Sequence, residues 1–247
     1  MAEFEEIAEG VEEAIEGAEE GTEGLSEEVQ EEIQAEIDET RTVIEDLSKT
    51  QSKLRGVLKS LKHYSPVVAK FFAKNIVIGA ILWGVNVALN KLLPQGYQQE
   101  TKTKIRNVIK ALSDVIKAEA AINQKTLDWM KAHENDTITL GGIEVPMESI
   151  LTKYMTPLVE ATDKAQTIAD TLQEKVDGKT QFKCPTADDM RKFMEVTEVF
   201  IKTFTDLIVF VLKHEDQVTV LQSFPVKEGD LVDLTAKLNI AKALPLW

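Results

Sequence analysis

The sequence predicts an all-α protein: an elongated bundle of about five long helices, with one small β-hairpin near residues 137–146. Three observations lead there. Seven prolines and twelve glycines in 247 residues leave long uninterrupted stretches, which suits long helices better than many short strands. Apolar residues recur at spacings of three, four and seven through most of the chain, the pattern of helices with one buried face. Hydrophobic content of 43% supports a globular core, while aromatics at 6% are few.

The first segment, 1–25, is rich in glutamate and glycine. Phe4, Ile7, Val11, Ala14 and Ala18 repeat at heptad spacing between glutamates. A helix built this way has a thin apolar stripe and repelling charges, so it is weak alone; a frayed acidic tail is the equal alternative. Residues 26–247 read as a single helical-bundle domain. Its first helix runs from Ser26, a capping residue, to about Lys62, with Val29, Ile33, Ile37, Ile44, Leu47, Leu54 and Leu58 on one stripe. Ser65-Pro66 then opens a central apolar helix over 66–93.

The sixteen residues from Asn75 to Asn90 carry no charge, and apolar side chains point in every direction around that helix. Such a surface must be buried in protein or in lipid. Sixteen is short of the roughly 20 residues that span a bilayer, but Lys74 and Lys91 can extend it by snorkelling. Candidate insertion residues are Phe71, Phe72, Ile76, Ile78, Ile81, Leu82, Trp83, Val85 and Leu89, with Phe4, Ile7 and Val11 as a second set.

A long helix is expected over 98–133, on the stripe Ile105, Val108, Ile109, Leu112, Val115, Ile116, Leu127 and Met130. Gly141-Gly142 between TITL and IEVP is a hairpin turn. Helical spacing returns from Met147 to Val176, with a kink or break expected at Pro157 and a stop at Gly178. A strong helix follows, capped by Thr186 and reaching His214. Beyond it lie VTVLQSF, read as a short strand, and a short helix near Asp230 to Ala243.

Charge is segregated. Residues 1–50 carry 19 acids and 2 bases, residues 51–131 carry 14 bases and 4 acids, and the rest carries 12 bases and 19 acids. The acidic segment is therefore expected to cover the basic one, within the chain or in a neighbour. The basic stretch has no aromatic interleaving and an apolar helix at its middle, which argues against nucleic acid as a partner. Protonated, residues 1–25 would become an amphipathic Gly/Ala/Ile/Phe helix able to lie in a membrane interface. In this the segment resembles designed acid-triggered Glu-Ala-Leu peptides and, more loosely, viral fusion peptides with mixed Gly and Glu.

No HExxH, CxxC, GxSxG or GxxxxGK[ST] occurs, and Cys184 is the only cysteine. No catalytic, cofactor or metal residue is nominated, and the chain is not expected to be an enzyme. His63, His133 and His214 each fall in the last turn of a long helix, where the charged imidazolium is favoured; they are the candidate pH sensors. The acidic start lacks a signal peptide's basic region and a Gly at position 2, so synthesis in the cytosol is expected, with action at a membrane or within an assembly. The arrangement of amphipathic helices around one apolar helix looks like that of α-helical pore-forming toxins and of penetration proteins in non-enveloped viruses. The expected function is a membrane-active helical protein, of pore-forming or membrane-penetration type, that hides its apolar helix until triggered. Its partners would be a lipid membrane and copies of itself. The alternative is a structural or scaffolding protein that self-assembles through its helices, for example in a virion or other large particle.

Overall fold

A computed structural model describes residues 2–20, 22, 26–60, 66–92, 99–133 and 135–247. His63 and the cap Ser65 lie outside the described residues, as do the side chains of Leu58, Leu89 and Lys91. The fold is all-α. Its helices are α1 (Ala2–Glu20), α2 (Glu27–Ser60), α3 (Pro66–Leu92), α4 (Gln99–Ala132), α5 (Met147–Thr171), α6 (Ala187–His214), α7 (Thr219–Gln222) and α8 (Glu228–Ala243). Strands β1 (Thr137–Leu140) and β2 (Ile143–Pro146) form one antiparallel hairpin, and β3 (Gln173–Val176) and β4 (Lys179–Phe182) a second. Among the described residues, eight helices thus stand where about five long ones were expected, and two hairpins where one was.

Local chemistry explains the elements that were foreseen. Leu140 pairs with Ile143 across Gly141 and Gly142, whose φ angles of 58° and 82° are those of a two-residue hairpin turn. Thr186 caps α6: its hydroxyl accepts from the Asp189 amide at 3.2 Å, while the Asp189 carboxylate accepts from the Thr186 amide at 2.8 Å.

Three expectations are corrected. The helix of residues 147–176 ends at Thr171 and gives way to β3, because Asp177 (φ 51°) and Gly178 (φ 82°) make the same kind of turn as the two glycines before α5. Gly178 therefore turns a hairpin and does not stop a helix. The helix does not break at Pro157, which lies inside α5. VTVLQSF turns into α7 and not a strand; a four-residue strand needs a partner to bond with, and both hairpins among the described residues pair only within themselves.

α3 is the centre of the molecule, packed by α1, α2, α4 and α5 and touched by β4; α8 lies across α4 and α6. Its residues 80–83 are all buried. Four consecutive helical positions face four directions about 100° apart, so this helix is surrounded by protein. At about 1.5–3 kcal/mol per fully buried large apolar side chain, α3 is the largest single contributor to the core.

Candidate functional site: the caged helix α3

All eight described members of the insertion set are buried: Phe71, Phe72, Ile76, Ile78, Ile81, Leu82, Trp83 and Val85. Phe71 meets Phe72 edge-on at 5.0 Å and reaches Phe200 of α6 at 6.5 Å. The second set, Phe4, Ile7 and Val11, is buried as well, in the same cluster, with α1 lying along α3. Among the described residues, α3 alone is long and apolar enough over Val68–Ala88 to cross a membrane; 78% of that window is buried inside the protein. A core helix of a water-soluble protein meets the same length and composition test.

The seam between α1 and α3 is closed by the second hairpin. Gly84 of α3 lies against the Phe182 ring, where any Cβ would collide with it. Gly10 of α1 sits over Thr180, a Cβ there falling 2.6 Å from the threonine Cβ. Around this apolar seam run ion pairs: Glu19 with Arg41 at 2.9 Å, Glu5 with Arg55, Glu6 with Lys175, and Glu13 with Lys179 at 2.9 Å. Of these four bases only Arg55 belongs to the stretch 51–131; two come from the hairpin that the periodicity concealed.

At the start of α3, Lys74 donates to Asp163 of α5 at 2.6 Å and Lys70 stands 3.6 Å from the same carboxylate. The hydrogen bond from Lys74 holds the Asp163 carboxyl below the usual range. Lys74, expected to snorkel, is in this fold tied to protein.

The seam between α3 and α4 is different in kind. The Lys117 ammonium stands 5.5 Å from the centre of the Trp83 ring and is paired with Glu39 of α2; burial pushes the Lys117 pKa down. One turn or two away, the Asn123 side-chain amide donates to Asn75 Oδ1 at 2.7 Å. Asn75 and Thr197 of α6 hydrogen-bond the carboxyl of Glu119, yet burial outweighs them and lifts its pKa to about 7. Trp83 Nε1, Glu119 Oε1 and Asn123 Oδ1 are buried without a hydrogen-bond partner. An orphaned buried polar group typically costs about 1–3 kcal/mol. Beside Glu119 a cavity of about 40 Å³ opens between α3, α4, α5 and α6, lined by Asn75, Gly79, Leu112, Thr162 and Phe193 among others.

Sequence reasoning passed over Glu119, although a signal was present. It follows Val115 by four and Leu112 by seven, so it falls on the apolar stripe of α4. A carboxylate on an inward stripe is a buried charge unless it is neutral or paired.

The described histidines stand elsewhere. His133 Nδ1 lies 2.6 Å from Asp136, its Nε2 lies 3.1 Å from the Ser223 hydroxyl, and its ring packs on Trp129 at 5.0 Å. His214 packs on Phe210 at 4.8 Å. None of these partners belongs to α3. Among the described residues no three His, Cys, Asp or Glu side chains gather as metal ligands. Compared with known proteins, the chain matches no family model, no curated protein and no solved structure.

Proposed function

We propose that this is a non-enzymatic, membrane-active protein that stores α3 inside a helical cage and delivers it to a lipid bilayer when the cage opens. The observation that carries the reading is α3 itself: a helix apolar on every side, long enough to cross a bilayer, and enclosed by amphipathic helices. Three of the four orphaned buried side-chain atoms among the described residues lie on α3 or α4. Trp83 Nε1 and the Lys70 and Lys74 ammonium groups would find partners among lipid headgroups and water once α3 inserted.

The test uses a protein in which Trp129 and Trp247 become Phe, leaving Trp83 as the only indole. It is mixed with neutral and with anionic vesicles carrying brominated acyl chains, near pH 5, 7 and 8.5, and leakage of a trapped dye is followed in parallel. Quenching of Trp83 together with leakage is the expected result. No quenching and no leakage under all six conditions overturns the reading.

A second reading, self-assembly, is favoured by one surface. Val209, Leu212 and Val232 are exposed and line a groove of about 540 Å³ between α6 and α8, with Ile240 exposed farther along α8. Apolar stripes of this kind suit helix-to-helix contact between copies. A monomer by light scattering at micromolar concentration removes this alternative.

A further inference from the structure

We propose that the cluster of Asn75, Glu119, Asn123 and Thr197 is a proton-held latch on α3: the bundle grips the helix while the Glu119 carboxyl carries its proton, and loosens at the α3–α4 seam when that proton leaves for solvent. The proposal rests on the reading of α3 as a releasable helix and supplies its regulation.

The geometry carries it. Glu119 stands where α3, α4, α5 and α6 meet, and among the described residues it is the only ionisable side chain lining the cavity there. From α3 it faces Asn75, from α5 Thr162, and from α6 Thr197. Several charged groups of the elements around α4 are paired with one another and not with Glu119. Lys74 of α3 binds Asp163 of α5, Glu198 of α6 binds Lys242, and Asp230 of α8 binds Lys125. From α2, Glu39 binds Lys117 and Lys53 binds Asp128, while Glu36 faces Arg106 and Lys110, nine or more residues before Glu119 on α4. Among the described residues no Lys, Arg or His lines the cavity beside the Glu119 carboxyl. Hydrogen-bond accounting points the same way. Asn75 and Thr197 serve the carboxyl, but Glu119 Oε1 and Asn123 Oδ1, one helical turn apart on α4, are both acceptors with no donor. A proton on Oε1 removes the charge and turns one of the two orphaned acceptors into a donor. Without it, a charge stays in an apolar wall built by Leu82, Leu112 and Phe193.

The direction follows from burial, which lifts the Glu119 pKa from the ordinary 4.5 to about 7. A folded state that holds a proton more tightly than the unfolded chain is stabilised by it. That contribution is whole below the unfolded chain's 4.5 and is lost as pH rises through about 7. The latch therefore opens toward alkaline pH, opposite to the acid trigger suggested by the composition of residues 1–25.

The experiment compares the full chain with Glu119→Gln, a permanently neutral side chain of the same shape. Chemical denaturation is measured near pH 5.5, 7 and 8.5, alongside infrared detection of a buried protonated carboxyl and dye leakage from anionic vesicles. The unsubstituted protein is expected to lose roughly thirtyfold in its folding equilibrium constant between the extremes. Glu119→Gln should lack that loss and the protonated-carboxyl band, and Glu36→Gln should keep both. Leakage should rise with pH only where Glu119 is present. Equal pH slopes in the unsubstituted protein and Glu119→Gln overturn the latch. So does the absence of the band at pH 5.5 in the unsubstituted protein, a readout that does not depend on the variant folding. Should the slope flatten as expected while neither protein releases dye at any pH, the latch stands and the membrane reading falls.

Discussion

Two of the seams of α3, with α1 and with α4, differ in how they are made. Against α1 and the β3–β4 hairpin the contact is apolar, fitted through Gly10 and Gly84, and rimmed by ion pairs. Against α4 it is partly polar, and three polar atoms on the two helices have no partner. The first seam draws its strength from shape, which is insensitive to pH. In the proposed latch the second depends on the protonation of one carboxyl. A cage with one fixed wall and one conditional wall can be stable in storage and still open at a defined place.

The largest expected effect tests the fixed wall. Phe182→Ala should cost about 3–5 kcal/mol in denaturant unfolding, because it empties the space over Gly84. Gly84→Ala should cost about 1–3 kcal/mol by pressing on the ring. Since the two occupy one space, the double variant should cost at least about 0.5 kcal/mol less than their sum; strict additivity would break the claim that this seam is set by fit.

On the conditional wall the effect should be smaller. Trp83→Phe loses volume but also removes a buried N–H that has no acceptor, so its net cost should stay below about 2 kcal/mol, under the usual range for truncating a core aromatic. A larger loss in thermal unfolding would mean that the N–H is satisfied in solution.

The smallest effect belongs to the rim. Arg41→Ala removes a half-exposed pair with Glu19 and should cost less than about 1 kcal/mol, with only a few degrees in Tm. If amide exchange in α1 then rose to that of an unfolded segment, the ion pairs and not the apolar stripe would be what holds it.

Much of this was legible from local rules. The limits of α4 and α6, the Thr186 cap and the Gly141-Gly142 turn follow from spacing and turn chemistry within a few residues. The second hairpin escaped because β3, Gln173–Val176, has a single apolar residue and carries no alternation; only the Asp177-Gly178 pair marked it. For α1, spacing showed a stripe but not whether anything would cover it. Glu119 was legible as a misfit on an apolar stripe, but its environment was not, since Asn75 and Thr197 come from 44 residues before it and 78 after.

The sequence by itself determined the all-α class, the all-round apolar character of α3 and the segregation of charge, because each is a property of residues close along the chain. Only the tertiary structure decided that Phe71, Ile81 and Trp83 are covered by protein, that α1 orders along α3, and that Glu119 is enclosed without a counter-ion. Burial and pairing depend on which distant segments come together, and an apolar surface specifies only that it must be covered, not by what.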